Sequence, residues 1–367
     1  MQSQNIRYMP ELDHIRGFAA FMILFYHGLH VFSYQLRFNQ PFNFTHWIET
    51  DNPLMALLAE AHISLALFMV LSGFLLAYGS TGKDIKYRTF LYNRVLRIYP
   101  LMMLFLVAGI CAFPKQFDFQ SFIQTIVMMG NINGRLDIWP FTAMFWAIAV
   151  EFQFYLLFPL LMLLLNRNGM KIILALLVLM LLLRFIGVMH GASPRDMSYW
   201  TLLGRADQFL LGMLAGNALA SGKQIKHPIY LVFGLLGFIS LAFWFNHQGG
   251  WPVDEVWRIF IPLVEAIICV SFILGYCAVV KWLPTRLCQV FKSLGMLSFS
   301  VYLWHYVVIS TIQKGQWWLV ITNDPYYDAL MTTILLVLPA SLMLSTLTWH
   351  AIEKPFLGMR RRYIAAS

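Results

Sequence analysis

The chain has 367 residues, 59% of them hydrophobic and 12% charged. A soluble domain of that length does not carry so much apolar side chain, so the composition excludes the soluble classes and points to a polytopic membrane protein. The net charge of +9 suits loops lying on an anionic leaflet, which makes membrane lipids the expected neighbours and leaves no need for a nucleic-acid partner.

A helix needs about 20 apolar residues to cross a hydrocarbon core of roughly 30 Å. In chain order the stretches that meet this are 15–34, 54–78, 98–113, 141–165, 172–190, 199–220, 229–245, 259–280, 294–312 and 329–352. The segment 119–131 is too short and too polar to span and reads as an interfacial or re-entrant piece. Basic residues then fall mostly on one face: Arg7, Lys83, Lys86, Arg88, Arg94, Arg97, Arg167, Lys171, Lys223, Lys226, Lys281, Arg286, Lys292, Lys354 and Arg360 to Arg362. The other face holds only Arg37, Lys115, Arg135, Arg195, Arg258 and Lys314. The positive-inside rule turns that bias into both termini cytoplasmic. The expected fold is therefore an all-α transmembrane bundle of ten spans, one domain over residues 1–367, with no appended soluble domain. Polar and acidic residues before Ile15, without a small-residue cleavage signal, mark the first span as a retained helix. Cys111, Cys269, Cys277 and Cys288 sit in or beside apolar stretches without ligand spacing, so neither a disulfide scaffold nor a metal site is expected.

Ionisable residues inside spans are costly and mark functional sites by default. In span one Arg16 and His27 are eleven residues apart, which returns them to nearly one helix face about 16 Å apart. Histidine accepts a proton near neutral pH, and a bond to a neighbouring helix is the plain structural alternative. Ser72, Gly73 and Phe74 in span two allow close approach of a helix or a ligand. Arg94 and Arg97 share one face at a helix start and suit phosphate, although taken alone they are better explained as an anchor on anionic lipid, and only the companion motifs change that. Span four carries Glu151 and Gln153, with Tyr155 one turn after Glu151; a buried carboxylate needs a partner, and His27 or Arg205 are the candidates. Arg205, Asp207 and Gln208 cluster at the far end of span six, His305 lies inside span nine, and Glu353, Lys354 and Pro355 close the last span.

Together these motifs resemble the acyltransferase-3 family of integral membrane acyltransferases. The resemblance runs through Arg16-x10-His27, Ser72-Gly73-Phe74, Arg94-x-x-Arg97-Ile98-x-Pro100, Trp146 through Glu151 to Tyr155, Arg205 with Phe209 and Gly212, Ser300-x-Tyr302-Leu303-x-His305, and Glu353-Lys354-Pro355. Where the family often has two adjacent glutamates, Phe152 follows Glu151. The resemblance implies transfer of an acyl group, most often acetyl, from cytoplasmic acetyl-CoA to a hydroxyl of a cell-surface or exported glycan or a lipid-linked oligosaccharide, in a bacterial inner membrane. It makes Arg16, Ser72, Arg94 and Arg97 the donor-binding set, and His27 a general base or an acyl carrier, oriented by Glu151. Tyr155, Arg205 and His305 become acceptor-side candidates, with no metal.

Two readings from other classes stand beside this one. A transporter or exporter of a glycan or small anion would use Arg16, His27 and Glu151 as a substrate or proton pathway. A sensor without turnover would need neither the arginines nor the His–Glu pair.

Overall fold

The computed structural model describes residues 8–132 and 136–364. Arg7 and Arg135, which enter the charge bias above, lie outside the described residues.

The bundle is built around α1 (Pro10–Phe38). Pro10 opens its first turn, Glu11 and Asp13 face the positive end of the helix, and left-handed Asn39 closes it. At 29 residues it outruns the hydrocarbon core, and two thirds of its most apolar window is buried. That is an interior helix. By contrast α6 (Met170–Met189) buries only 17% of its window and turns Leu, Val and Phe side chains to the lipid. The difference follows from composition: α1 carries Arg16, His27 and His30 and must face protein, whereas α6 carries Lys171 exposed at its start and, within its apolar stretch, only Arg184, which it buries.

The expected second span is not one helix. A short helix (Pro53–Ala59), capped by Asn52, is followed by a 3₁₀ turn (Ala61–Ser64) before α2 (Leu65–Ser80). The break turns Glu60 and His62 into the protein, where Glu60 Oε1 accepts from Trp47 Nε1 at 2.6 Å and from Asn246 Nδ2 at 2.8 Å. After α2 come α3 (Tyr87–Ala112), the short amphipathic α4 (Phe119–Ile126), α5 (Phe145–Asn168) and α6. At eight residues α4 is too short to span, and Asp118 caps it.

Next is α7 (Leu202–Ala220), which lies along α2 at close quarters. A Cβ at Gly73 would overlap the Phe209 carbonyl, and one at Gly212 or Gly216 would overlap the carbonyl of Val70 or Phe74. Small residues let the two backbones touch, as in membrane helix pairs generally. The chain continues through α8 (Ile229–His247), α9 (Ile261–Val279), α10 (Thr285–Met296) and α11 (Ser298–Gly315), the last two bent by 64° at Leu297. The final helix, α12 (Pro325–Gly358), contains two π-helical segments, Thr333–Val337 and Trp349–Glu353.

Among the described residues, eight helices are long and apolar enough to cross a membrane, nine if α10 and α11 form one broken span. The remaining expected span, 199–220, corresponds to α7, whose Arg205, Asp207 and Gln208 lower its hydropathy and are all buried against protein.

Beyond α12 the chain folds back. Asn93 Nδ2 donates to the Arg361 carbonyl at 2.7 Å and Asn93 Oδ1 accepts from the Arg361 amide at 2.9 Å. The Lys86 amide bonds the Tyr363 carbonyl at 2.8 Å, Ile85 bridges to Ile364, and the Tyr363 ring is buried against Phe90. The C-terminal segment is thereby strapped across the start of α3.

Candidate active site

A cavity of about 850 Å³ opens where α1, α2, α3, α5, α11 and α12 meet. Arg16, Arg94, Arg97, Lys292, Lys354 and Arg360 line it, against only two acids, Asp13 and Glu151. Both acids are already engaged. Asp13 accepts from Tyr8 at 2.8 Å and pairs with Arg16 at 3.2 Å. Glu151 Oε1 accepts from the Ser72 and Tyr155 hydroxyls, each at 2.5 Å.

The helical register of α3 places Arg94 and Arg97 on one face, but their surroundings differ. Arg97 donates to Glu353 Oε2 at 3.1 Å, and Glu353 is held in turn by the Ser300 hydroxyl; the inward turn of Glu353 coincides with the second π segment of α12. Arg94 lies over the rings of Phe90 and Tyr155, and its buried Nε has no hydrogen-bond partner. Arg360, carried in by the strap, also has a buried Nε without a partner. Burial, then the charges of Arg94 and Arg97, pull the Arg360 pKa down, so the protein itself does not balance this cluster. Guanidinium groups gathered this way suit phosphate oxygens.

Further along, Tyr302 of α11 lines the same cavity. One turn on, and on the same face, His305 Nε2 lies 3.0 Å from His27 Nδ1. The proton positions follow from the acceptors. His305 Nδ1 faces the Val301 carbonyl at 3.0 Å and must carry hydrogen, so in the neutral ring Nε2 accepts. His27 Nδ1 faces that nitrogen and the Ile23 carbonyl at 3.1 Å, so it too carries hydrogen. With both rings neutral, the lone pair of His27 is on Nε2. The ring is only half-buried, flanked by Tyr26 and Tyr306.

The expected site residues therefore divide into three groups. Arg16, Ser72, Arg94, Arg97, Glu151 and Tyr155 line one cavity, and His27 and His305, which are not in its lining, pair one helical turn beyond its Tyr302. Arg205 stands apart, buried, with Nη1 3.2 Å from Glu265 Oε2, which also accepts from Gln208 at 2.6 Å. Neither partner expected for Glu151 is found: it bonds Ser72 and Tyr155, while His305 has the place on His27 that Glu151 was expected to take. The reason is register. His27 lies beyond the level of Ser72, because α2 runs antiparallel to α1 and starts beside the histidines. Sequence reasoning missed Arg360, Lys292 and Tyr302 as cavity residues. Arg360 had been read only as a loop charge, and nothing in its local sequence distinguishes it from Arg361 and Arg362.

The family model described as an acyltransferase domain matches residues 9–350. The chain belongs to the acyltransferase-3 family. Among its relatives, a Bacillus subtilis protein provisionally named a peptidoglycan O-acetyltransferase is 26% identical over 96% of this chain and 56% of its own length. The O-acetyltransferase OatA of Staphylococcus aureus is 26% identical over 95% of this chain and 57% of its own. The acyltransferase MdmB of Streptomyces mycarofaciens is 27% identical over 41% of the chain and 38% of its own length. This acyltransferase-3 chain thus spans little more than half the length of the first two relatives. No solved structure matches it.

Proposed function

We propose that this chain transfers an acyl group, acetyl in the first instance, from acyl-CoA to a hydroxyl of a cell-surface glycan. The observation that carries the reading is a cation-rich cavity lined by Tyr302, one helical turn before His305, whose ring holds that of His27. The names of the relatives supply the class of reaction and of acceptor.

In this reading the Arg16 end of α1 faces the cytoplasm, where the donor is available, and Arg94 and Arg97 hold its phosphates. His27 Nε2 takes the proton of the acceptor hydroxyl, and the oxygen attacks the thioester carbonyl. The carbon–sulfur bond breaks and the proton passes to the departing thiolate, so an ester and free CoA thiol are formed with no net proton change. His305 does what the third member of a catalytic triad does: it holds His27 in the Nδ1-protonated form and accepts from the imidazolium that develops. Glu151, fixed by Ser72 and Tyr155, lines the path of the donor arm.

Membranes bearing the wild type or His27→Ala at matched expression decide it, by thiol release from acetyl-CoA together with mass spectrometry of the extracted glycans. General-base loss predicts a fall of about 10²–10⁴-fold with the variant. Thiol release and glycan mass that are the same with and without the wild-type protein would sink the proposal and favour glycan transport. His305→Gln is expected to lower kcat and move the pH profile while leaving the donor KM unchanged; an unaltered profile would remove His305 from its positioning role.

A further inference from the structure

Arg360 differs from its neighbours in one structural respect. Arg361 and Arg362 are exposed, whereas Arg360 is turned into the cavity beside Arg94 and Arg97. Nothing local compels this. The turn after α12 would leave all three arginines in solvent if the chain ran on freely. What directs Arg360 inward is the strap: the paired hydrogen bonds of Asn93 with Arg361, the Lys86 to Tyr363 bond, and the buried Tyr363 ring fix residues 361–363, immediately after Arg360, against the start of α3. Asn93 is fully buried, so both of its amide atoms are spent on this attachment.

The placement is costly. A guanidinium brought beside two others, with an unpartnered buried Nε, is destabilising unless an anion joins it. Among the described residues the acids near this group are committed: Glu353 to Arg97 and Ser300, Glu151 to Ser72 and Tyr155, Asp13 to Arg16 and Tyr8. A strap that held Arg360 here for stability alone would be expected to carry an acid with it, and it carries none. The missing charge belongs to a ligand.

We infer that Arg360 is a third phosphate-binding residue of the donor site, delivered by the C-terminal strap and acting with Arg94 and Arg97 on the phosphate groups of CoA. The inference rests on the acyl-CoA reading above. It gives the C-terminal segment a role in substrate binding, so that the donor site is complete only when residues 361–364 are docked on α3.

The test is CoA binding to the full-length protein in nanodiscs of phosphatidylcholine, by calorimetry, for wild type, Arg360→Gln, Arg360→Lys and the exposed control Arg362→Gln. Loss of a bidentate charged contact predicts binding weaker by about tenfold or more for Arg360→Gln. A smaller loss is expected for Arg360→Lys, and a change within about twofold for Arg362→Gln, since exposed charges interact weakly. Wild-type affinity in Arg360→Gln, with CoA bound by the wild type, overturns the inference and leaves the donor reading intact. Failure of the wild type itself to bind CoA overturns both. Should Arg360→Gln not yield folded protein, Arg360→Lys decides alone, because an ammonium cannot reproduce the two-pronged contact. A second set of discs containing phosphatidylglycerol separates the sources of phosphate: an Arg360 effect seen only as altered lipid retention, with CoA affinity unchanged, also overturns the inference.

Discussion

Arginines at the two ends of this bundle have different surroundings. At the end where α2 and α7 begin, Arg184 bonds Asp207 at 2.5 Å and Arg205 bonds Glu265 at 3.2 Å, all four side chains buried. Arg258 nearby spends its donors on the Trp251 and Val253 carbonyls. At the other end Arg94 and Arg360 form no ion pair with any described residue, although both reach into the protein. In the first region each of these cations has a carboxylate or carbonyl partner, although Arg184 Nε and Arg205 Nη2 are also buried without a hydrogen bond. The second is a cavity in which Arg94 and Arg360 have no acidic partner among the described residues. Under the proposed function the same residue type serves architecture in one place and recognition in the other, and the partner atoms decide which.

Three experiments would break or sharpen this contrast. The largest effect belongs to the closed end. Arg205→Leu leaves Glu265 buried without its cation, which costs about 3–5 kcal/mol; thermal unfolding in detergent should show a strongly lowered midpoint or no folded protein. A midpoint equal to that of the wild type would make Arg205 a ligand-facing group after all. Next comes Arg94→Gln at the open end. Its expected result is a KM for acetyl-CoA raised by about tenfold with an unchanged or slightly raised midpoint, because repulsion with Arg360 is relieved. Loss of stability without a change in KM would mean that the cavity cations are structural too. The smallest effect is that of salt. Raising ionic strength from about 0.05 M to 0.5 M shortens the screening length severalfold and should weaken donor binding a few-fold while leaving the acceptor KM alone. Equal effects on both substrates would argue against a separate donor cavity.

How much of this was legible beforehand depends on the range of the interactions. Arg94 and Arg97 could be paired from their spacing, and Arg16 aligned with His27, because one helix fixes both relations. The partner of Glu151 could not be found the same way. Ser72 lies 79 positions away along the chain, and only the antiparallel packing of α2 against its neighbours sets Ser72 rather than His27 at its level. The His27–His305 contact joins residues 278 apart, and although both histidines were singled out, nothing local indicated that they touch. The second expected span began too early for a similar reason: its apolar average hid Glu60, which bonds Trp47 and Asn246 where the chain breaks before the candidate span Ala61–Ser80.

The sequence by itself determined that this protein is a bundle of apolar helices, where most of those helices run, and which motifs place it in the acyltransferase-3 family. Those properties depend on composition, on a 3.6-residue period and on short spacings, all of which are local. Tertiary structure alone decided which end holds unbalanced charge, which histidine supports His27, and that a C-terminal arginine returns to the cavity. Each of these is a meeting of distant segments, governed by helix order, close backbone contact at glycines and the turn of the strap, and no window of sequence contains both partners.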